Sequence, residues 1–335
     1  MLYAAIDIHK RTFQAAVLDA ASGEVDEQRL AASPEALRAW AEWWQGRIAA
    51  VALEATTGWR WVARELQGRG FDVRLCDPGQ ANALRGAKRR AKTDRIDAAW
   101  LALLLAKELL PQCWLPPADI QQLRDLTRLR LALARDRMRW AQRLHALLVH
   151  EGFPCARGRL ITQDGQRWAA TLPLPVATRA NVAVMLAMIG TLDQQLATID
   201  ADLRRRARDD QRLMALDRLF GVGPVIAAHI LAEVGDARRF RRARQVVRIA
   251  GLDPAVSESA DTRRRGRLTK QGSPQLRWAL VEAAHHACQP RSPDHGLYLA
   301  VQQRCGTQRA ILSVSRKLAR RAYHTLAALE LEAAA

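Results

Sequence analysis

Six consecutive apolar residues, Ile48-Ala49-Ala50-Val51-Ala52-Leu53, run into an acid, Glu54. A run of strand length with no polar position fits a strand covered on both faces, so the chain around it must build layers of helix over sheet. The flanking sequence agrees. Leu2–Ile8 and Thr12–Leu18 read as strands joined by a turn at His9-Lys10-Arg11, and Val25–Ala31 reads as a third strand. Ser33-Pro34-Glu35 has the chemistry of a helix start, and the helix it opens runs through Leu37, Trp40 and Trp44. A helix over Trp59–Gln67 and a strand at Phe71–Cys76 complete the region.

Three strands, helix, strand, helix, strand is the order of a ribonuclease-H-like α/β domain. Beyond it, residues 93–110 are helical by pattern as far as Pro111, and Pro116-Pro117 makes a firm break. From Asp119 to about Glu151, apolar residues recur at Leu126, Leu129, Leu133, Trp140, Leu144 and Leu147. A second long helix, Thr178 to Arg208, carries Met185, Ile189, Leu192, Leu196, Ile199 and Leu203 in a heptad seam. The two read as an antiparallel helical hairpin or an oligomerising coiled coil, with an irregular stretch, Gly152–Pro175, between them. The remainder is mostly helical. The division expected is 1–112 for the α/β domain, 118–210 for the coiled coil and 211–330 for a C-terminal domain.

Charge points to a partner class. The 335 residues carry 52 basic and 34 acidic side chains, a net of +18, and all but six of the basic ones are arginine. Residues 1–60 hold a net of −2, so the excess lies beyond them, with +7 from Gly235 to Gln275 and +4 from Arg85 to Asp97. Arginine's planar fork of donors suits phosphate, and concentration of this kind favours nucleic acid. A soluble intracellular protein is expected, because no apolar run reaches the ~18 residues of a membrane span and no secretory leader is present. Five scattered cysteines without a C-x-x-C pair indicate neither a disulfide framework nor a zinc knuckle.

Four acids stand where chemistry could use them. Asp7 lies in the apolar first strand, where a carboxylate is costly to bury without a cation. Glu54 ends the buried strand, and the first and fourth strand ends are neighbours in this arrangement. Asp94 and Asp97 share a helical face within Lys92-Thr93-Asp94-Arg95-Ile96-Asp97-Ala98. Taken singly, each is more readily a turn or surface residue. Together they can neutralise two Mg²⁺ ions, which take hard oxygen ligands and clamp a phosphate during in-line displacement.

Farther on, Leu219-Phe220-Gly221-Val222-Gly223-Pro224 has the form of a helix–hairpin–helix, whose glycines let backbone N–H groups approach a DNA phosphate. The arginines soon after it, Arg238, Arg239, Arg241, Arg242 and Arg244, strengthen that reading. Ser257 and Ser259 precede Arg263, Arg264, Arg265, Arg267 and Lys270. They read as simple phosphate contacts, or one of them as a nucleophile with arginines stabilising the developing charge. His285, His286 and His295 lack zinc-type spacing.

In these motifs the chain resembles the DEDD transposases of bacterial insertion sequences, the bridge-RNA-guided serine recombinases of the insertion-sequence one-ten family. The resemblance covers almost the full length. It rests on Ile6-Asp7-Ile8, Glu54-Ala55-Thr56-Thr57-Gly58, the Lys92–Ala98 segment, Gly221–Pro224, Phe240, Ala250-Gly251-Leu252-Asp253-Pro254 and Lys270-Gln271-Gly272-Ser273-Pro274-Gln275-Leu276-Arg277. It implies a RuvC-like domain, a coiled coil and a C-terminal transposase domain. It also implies that Asp7, Glu54, Asp94 and Asp97 bind Mg²⁺ and that Ser259 forms a covalent phosphoserine with a DNA end. Ala260 replaces the family's usual glycine after that serine, and Ser257 is a rival. Lys92, Gly221, Gly223, Arg263, Arg264, Arg265, Arg267 and Lys270 are the expected nucleic-acid contacts. The implied partners are donor and target DNA, a structured noncoding bridge RNA and further copies of the chain, up to a tetramer with a composite site. A cytoplasmic, nucleoid-associated location without a membrane is expected. The alternatives are a resolvase-like nuclease that activates water at the same metals, and a non-catalytic nucleic-acid-binding protein.

Overall fold

A computed structural model describes residues 1–84, 94–156, 158–259 and 262–332, with the backbone path alone for 94–96, 256–259, 262–265 and 267. The chain divides into two compact units, Met1–Leu115 and Pro116–Ala335.

The first unit is built on one sheet of order β3-β2-β1-β4-β5-β6. Its strands are β1 (Leu2–Ile8), β2 (Thr12–Asp19), β3 (Val25–Ala31), β4 (Ile48–Glu54), β5 (Val73–Cys76) and β6 (Gln112–Cys113). β1, β2 and β3 pair antiparallel, β4 runs parallel to β1 and to β5, and the short β6 adds an antiparallel edge that the sequence pattern does not announce. Strand alternation sends side chains to two faces. Ile6, Ile8, Val51 and Leu53 meet Leu37, Trp40 and Leu66 of α1 (Pro34–Trp44) and α2 (Trp59–Gln67). Ala5, Ala52 and Cys76 meet Ala81 of α3 (Pro78–Ala83) and Leu101, Ala102 and Leu105 of α4 (Asp94–Ala106). Cover on both sides is why β4 is apolar at every position before Glu54. The expected cap of α1 is present, with Ser33 Oγ accepting from the Ala36 N–H at 3.2 Å.

The second unit is helical around one hairpin. α5 (Ala118–His150) and α7 (Val176–Asp209) pair antiparallel, since Arg130 meets Asp200 and Arg137, farther along α5, meets Asp193, earlier on α7. On α7 the seam falls as expected, with Ile189, Ile199 and Leu203 buried. On α5 the expected Leu144 is buried, with Trp140 and Leu147 packed beside it. In the first half of the helix, however, the inward face is rotated from the expected one. Ile120, Leu123, Thr127 and Leu131 point inward, and Leu129 is 51% exposed. Thr127 disguises that face, because its hydroxyl donates to the Leu123 carbonyl at 2.8 Å and so enters an apolar stripe satisfied.

The stretch expected to be irregular holds a helix, α6 (Gln163–Ala170), capped by Thr162 and buried through Gly165 and Ala169. α7 also has a window long and apolar enough to cross a membrane. Asp193 and Asp200, both on that helix, are held by Arg137 and Arg130 of α5. Next come α8 (Gln211–Asp217), α9 (Pro224–Val234) and α10 (Ala243–Ile249). A two-stranded ribbon follows, β7 (Pro254–Ser259) with β8 (Thr262–Leu268), an element the reading of this region as mostly helical did not specify. α11 (Pro274–Ala287), α12 (His295–Cys305) and α13 (Thr307–Glu332) complete the unit.

Candidate functional site

Strand register sets the acids. β1 and β4 pair Ile6 with Leu53, so the next residues, Asp7 and Glu54, end adjacent parallel strands, and Glu54 pairs in turn with Cys76 of β5. Ala5, Ala52 and Cys76 belong to the layer beneath α4, and by alternation Asp7 and Glu54 belong to it too. Asp97 lies in the first turn of α4, four residues before the buried Leu101. Asp7 and Glu54 therefore lie at adjacent strand ends on one face of the sheet, and Asp97 lies in the first turn of the helix that covers that face.

Asp7 is 7% exposed, and its Oδ2 lies 3.1 Å from His9 Nε2. One oxygen of Asp97 is shielded from solvent. Burial and the Glu54 carboxylate together push the Cys76 thiol up to about 12, so the layer disfavours further negative charge. Among the described residues, no three His, Cys, Asp or Glu side chains stand close enough to hold a metal ion. The side chain of Asp94 and all of Lys92 lie outside the described residues. In chemistry the donor set fits a hard divalent cation. It offers carboxylate oxygens at the mouth of an apolar layer, and the sulfur beside them stays protonated.

The turn before α9 separates the roles of its two glycines. Gly221 has φ +85°, and a Cβ there would stand 2.4 Å from the Ala283 carbonyl of α11, so it is a packing glycine. Gly223 caps α9 beside Pro224, and a Cβ there would meet nothing within 4 Å. Of the pair, Gly223 is the one with open space at its α-carbon.

The arginines that follow, which the sequence reading took as support for the helix–hairpin–helix, also divide. Arg238 is bound to Asp236, with Nη2 to Oδ2 at 2.9 Å. Arg239 turns inward, and its Nε donates to the Val234 carbonyl at 3.0 Å. Burial, with Arg124 nearby, lowers the Arg239 guanidinium to about 10. Arg124 donates to the Ala232 carbonyl at 2.6 Å, and Arg128 clamps the buried Glu233 at 3.0 and 3.2 Å. These cations cover the negative end of the α9 dipole, so part of the basic excess is structural.

On the ribbon, backbone pairing sets Ser259 opposite Thr262, Ser257 opposite Arg264, Glu258 opposite Arg263 and Val256 opposite Arg265. Arg267 lies farther along β8. The exposed Lys270 just beyond has φ +52°, a left-handed conformation that costs a lysine energy. Two residues on, Gly272 has φ +122°, and a Cβ there would stand 2.2 Å from the Ile249 carbonyl. Arg277 Nη1 donates to the Ala250 carbonyl at 2.9 Å and closes the same clasp at the base of the ribbon.

Sequence reasoning passed over one group in the first unit, Trp59, Arg60, Trp61 and Arg64 on the first turns of α2. Alternating tryptophan and arginine was the signal available.

Comparison with known proteins adds family information. Residues 4–153 match the model of the IS110 group of DEDD transposases, described as a transposase. Residues 213–299 match a second, described as the transposase IS116/IS110/IS902 family. A Pseudomonas aeruginosa protein named "Probable family 20 transposase" is 27% identical over 238 residues, 70% of each chain. The transposase for insertion sequence element IS1328 of Yersinia enterocolitica is 25% identical over 70% of this chain and 69% of its own. The transposase for insertion sequence element IS1111A of Coxiella burnetii is 24% identical over 81% and 76%.

Proposed function

This chain belongs to the IS116/IS110/IS902 family of transposases, and we propose that it is a DNA recombinase that breaks and rejoins strands through a serine-linked intermediate. The observation that carries the reading is the pairing of strand ends that sets Asp7 beside Glu54, with Asp97 at the start of the helix over the same face. The strand order β3-β2-β1-β4-β5 supports a ribonuclease-H-like, RuvC-like assignment for this unit. Asp7, Glu54, Asp97 and Asp94 would hold Mg²⁺, two ions per site. When bound, those ions orient a scissile phosphate and stabilise charge on its oxygens.

The rest of the chemistry belongs to the chain. Ser259 supplies the nucleophilic hydroxyl: its oxygen bonds to phosphorus as the bond to the DNA 3′-oxygen breaks. The protein is left holding the 5′-phosphate, and a free 3′-hydroxyl later reverses the step on another strand. Arg263, Arg264, Arg265, Arg267 and Lys270 grip the backbone, and Gly223 opens the start of α9 to a phosphate, as in a helix–hairpin–helix. The family resemblance supplies the remaining partners. They are donor and target DNA, a noncoding bridge RNA that selects both, and further copies of the chain assembled through the α5–α7 hairpin.

The test is a denaturing gel of the full chain mixed with element-end DNA and the flanking noncoding RNA. A protein–DNA adduct is expected that requires Mg²⁺ and disappears in Ser259→Ala while surviving in Ser257→Ala. Cleavage without any adduct would overturn the serine step in favour of water attack.

A further inference from the structure

Directly after Glu54 the chain forms a cleft of about 600 Å³ lined by Ala55, Thr56, Thr57, Trp59, Arg60, Trp61 and Arg64, with Gly58 at its floor. We propose that this cleft binds an unpaired nucleotide of a single strand, its base stacked against tryptophan and its phosphate held by arginine. The inference rests on the recombinase reading for its purpose and on the cleft itself for its chemistry.

Trp61 is fixed from behind by Phe13, with ring centroids 5.6 Å apart, and its indole nitrogen lies 4.0 Å from where a Cβ on Gly58 would stand. Trp59 is half-buried, with the Arg60 guanidinium 5.9 Å from its ring centre. The Thr56 hydroxyl oxygen is shielded from solvent behind this lining and has no hydrogen-bond partner among the described residues.

The lining discriminates among ligands. Duplex DNA keeps its bases stacked inside and offers phosphates alone, for which tryptophans have no use. An acidic peptide would need the arginines but not the indoles, and a quaternary ammonium would need the indoles but be repelled by the arginines. A flat ring carrying an anion satisfies indole and guanidinium together. Placement gives the grip a use. Arg60 and Arg64 stand here on α2. The loop is also tied to the strand ends, with the Thr56 N–H donating to the Glu54 carbonyl at 2.8 Å and the Ala55 N–H to the Cys76 carbonyl at 2.9 Å. A strand splayed out of its duplex and held here is anchored to the residue that follows Glu54.

Photocrosslinking tests the proposal with the full-length chain. The probes are short single-stranded DNA and RNA oligonucleotides carrying one 5-iodouracil, and the adducts are mapped by peptide mass spectrometry. An adduct at Trp59 or Trp61 in either arm is expected, and the arm that gives it tells whether DNA or RNA is the occupant. Trp59→Ala should weaken binding of the same oligonucleotide by about tenfold, the scale of one lost stacking partner, while Trp59→Phe recovers most of it. Duplex binding should stay within about twofold of wild type. Adducts confined to other regions, or equal loss of single-strand and duplex binding in Trp59→Ala, would overturn the cleft. Wild-type protein that forms the DNA adduct but gives no crosslink on α2 refutes the cleft alone. A crosslink on α2 in protein that never breaks a strand refutes the recombinase reading instead.

Discussion

His229 sits fully buried on α9, edge-on to Trp278 at 4.9 Å, and neither ring nitrogen has a hydrogen-bond partner among the described residues. Burial, aided by the Arg130 guanidinium, lowers it to about 3. The unfolded chain takes up that proton near 6.5 while the folded chain resists it down to about 3. Stability is therefore complete above 6.5 and declines as pH falls through that interval, with a slope approaching about 1.4 kcal/mol per pH unit. His229→Phe should flatten the decline in urea denaturation while leaving the protein folded at neutral pH; an unchanged slope would assign the acid sensitivity elsewhere. The turn before α9 offers a second test at this scale. Gly221→Ala should cost about 2–4 kcal/mol, from collision with the Ala283 carbonyl and left-handed strain. Gly223→Ala should cost no more than about 1 kcal/mol yet weaken binding to duplex DNA. Melting temperatures and duplex affinities of the two variants separate packing from phosphate approach. The sequence showed both glycines but not this division, because what Gly221 touches lies some sixty residues away on α11.

At the scale of elements, the α5–α7 hairpin is held by charge as much as by its seam. Arg130 and Asp200 meet through two hydrogen bonds, at 2.6 and 3.1 Å, with both side chains mostly buried. Arg130→Met strands a half-buried carboxylate and should cost about 1–3 kcal/mol, and the double variant Arg130→Met/Asp200→Leu should regain most of that in chemical denaturation. A double variant as unstable as the single one would show that the pair is not the source. Elements with a clean period were legible in the sequence. The α/β alternation around β4 and the α7 seam were two of them. Three elements were hidden for separate physical reasons. Thr127 masks the true inward face of α5. α6 has too few residues for a period and is fixed by packing at Gly165 and Ala169. The β7–β8 ribbon is rich in arginine and serine and carries no apolar alternation to announce it. The acids were legible as types at strand and helix ends, and so was the adjacency of β1 and β4. The place of Asp97 followed only from α4 covering the same face.

For the whole molecule, the net charge of +18 overstates the surface left for nucleic acid. Arg124, Arg128 and Arg239 are committed to the end of α9, and Arg130 and Arg137 to α7. The arginines of β8 and Lys270 are the proposed grip, and contacts of that kind release counterions. Affinity for duplex DNA should fall at least about tenfold between 50 and 200 mM salt, and the slope should shrink when Arg263, Arg264 and Arg265 are replaced by glutamine. A flat titration would exclude that surface. The measurement that bears most directly on the central claim locates the cation itself. Fe²⁺ replacing Mg²⁺ in the full chain, with ascorbate and peroxide, generates hydroxyl radicals that cut the polypeptide nearest the bound metal. The account predicts cuts near residues 7, 54 and 94–97, suppressed by excess Mg²⁺ and lost in Glu54→Gln. Cuts that cluster elsewhere, or that Mg²⁺ does not suppress, would contradict it.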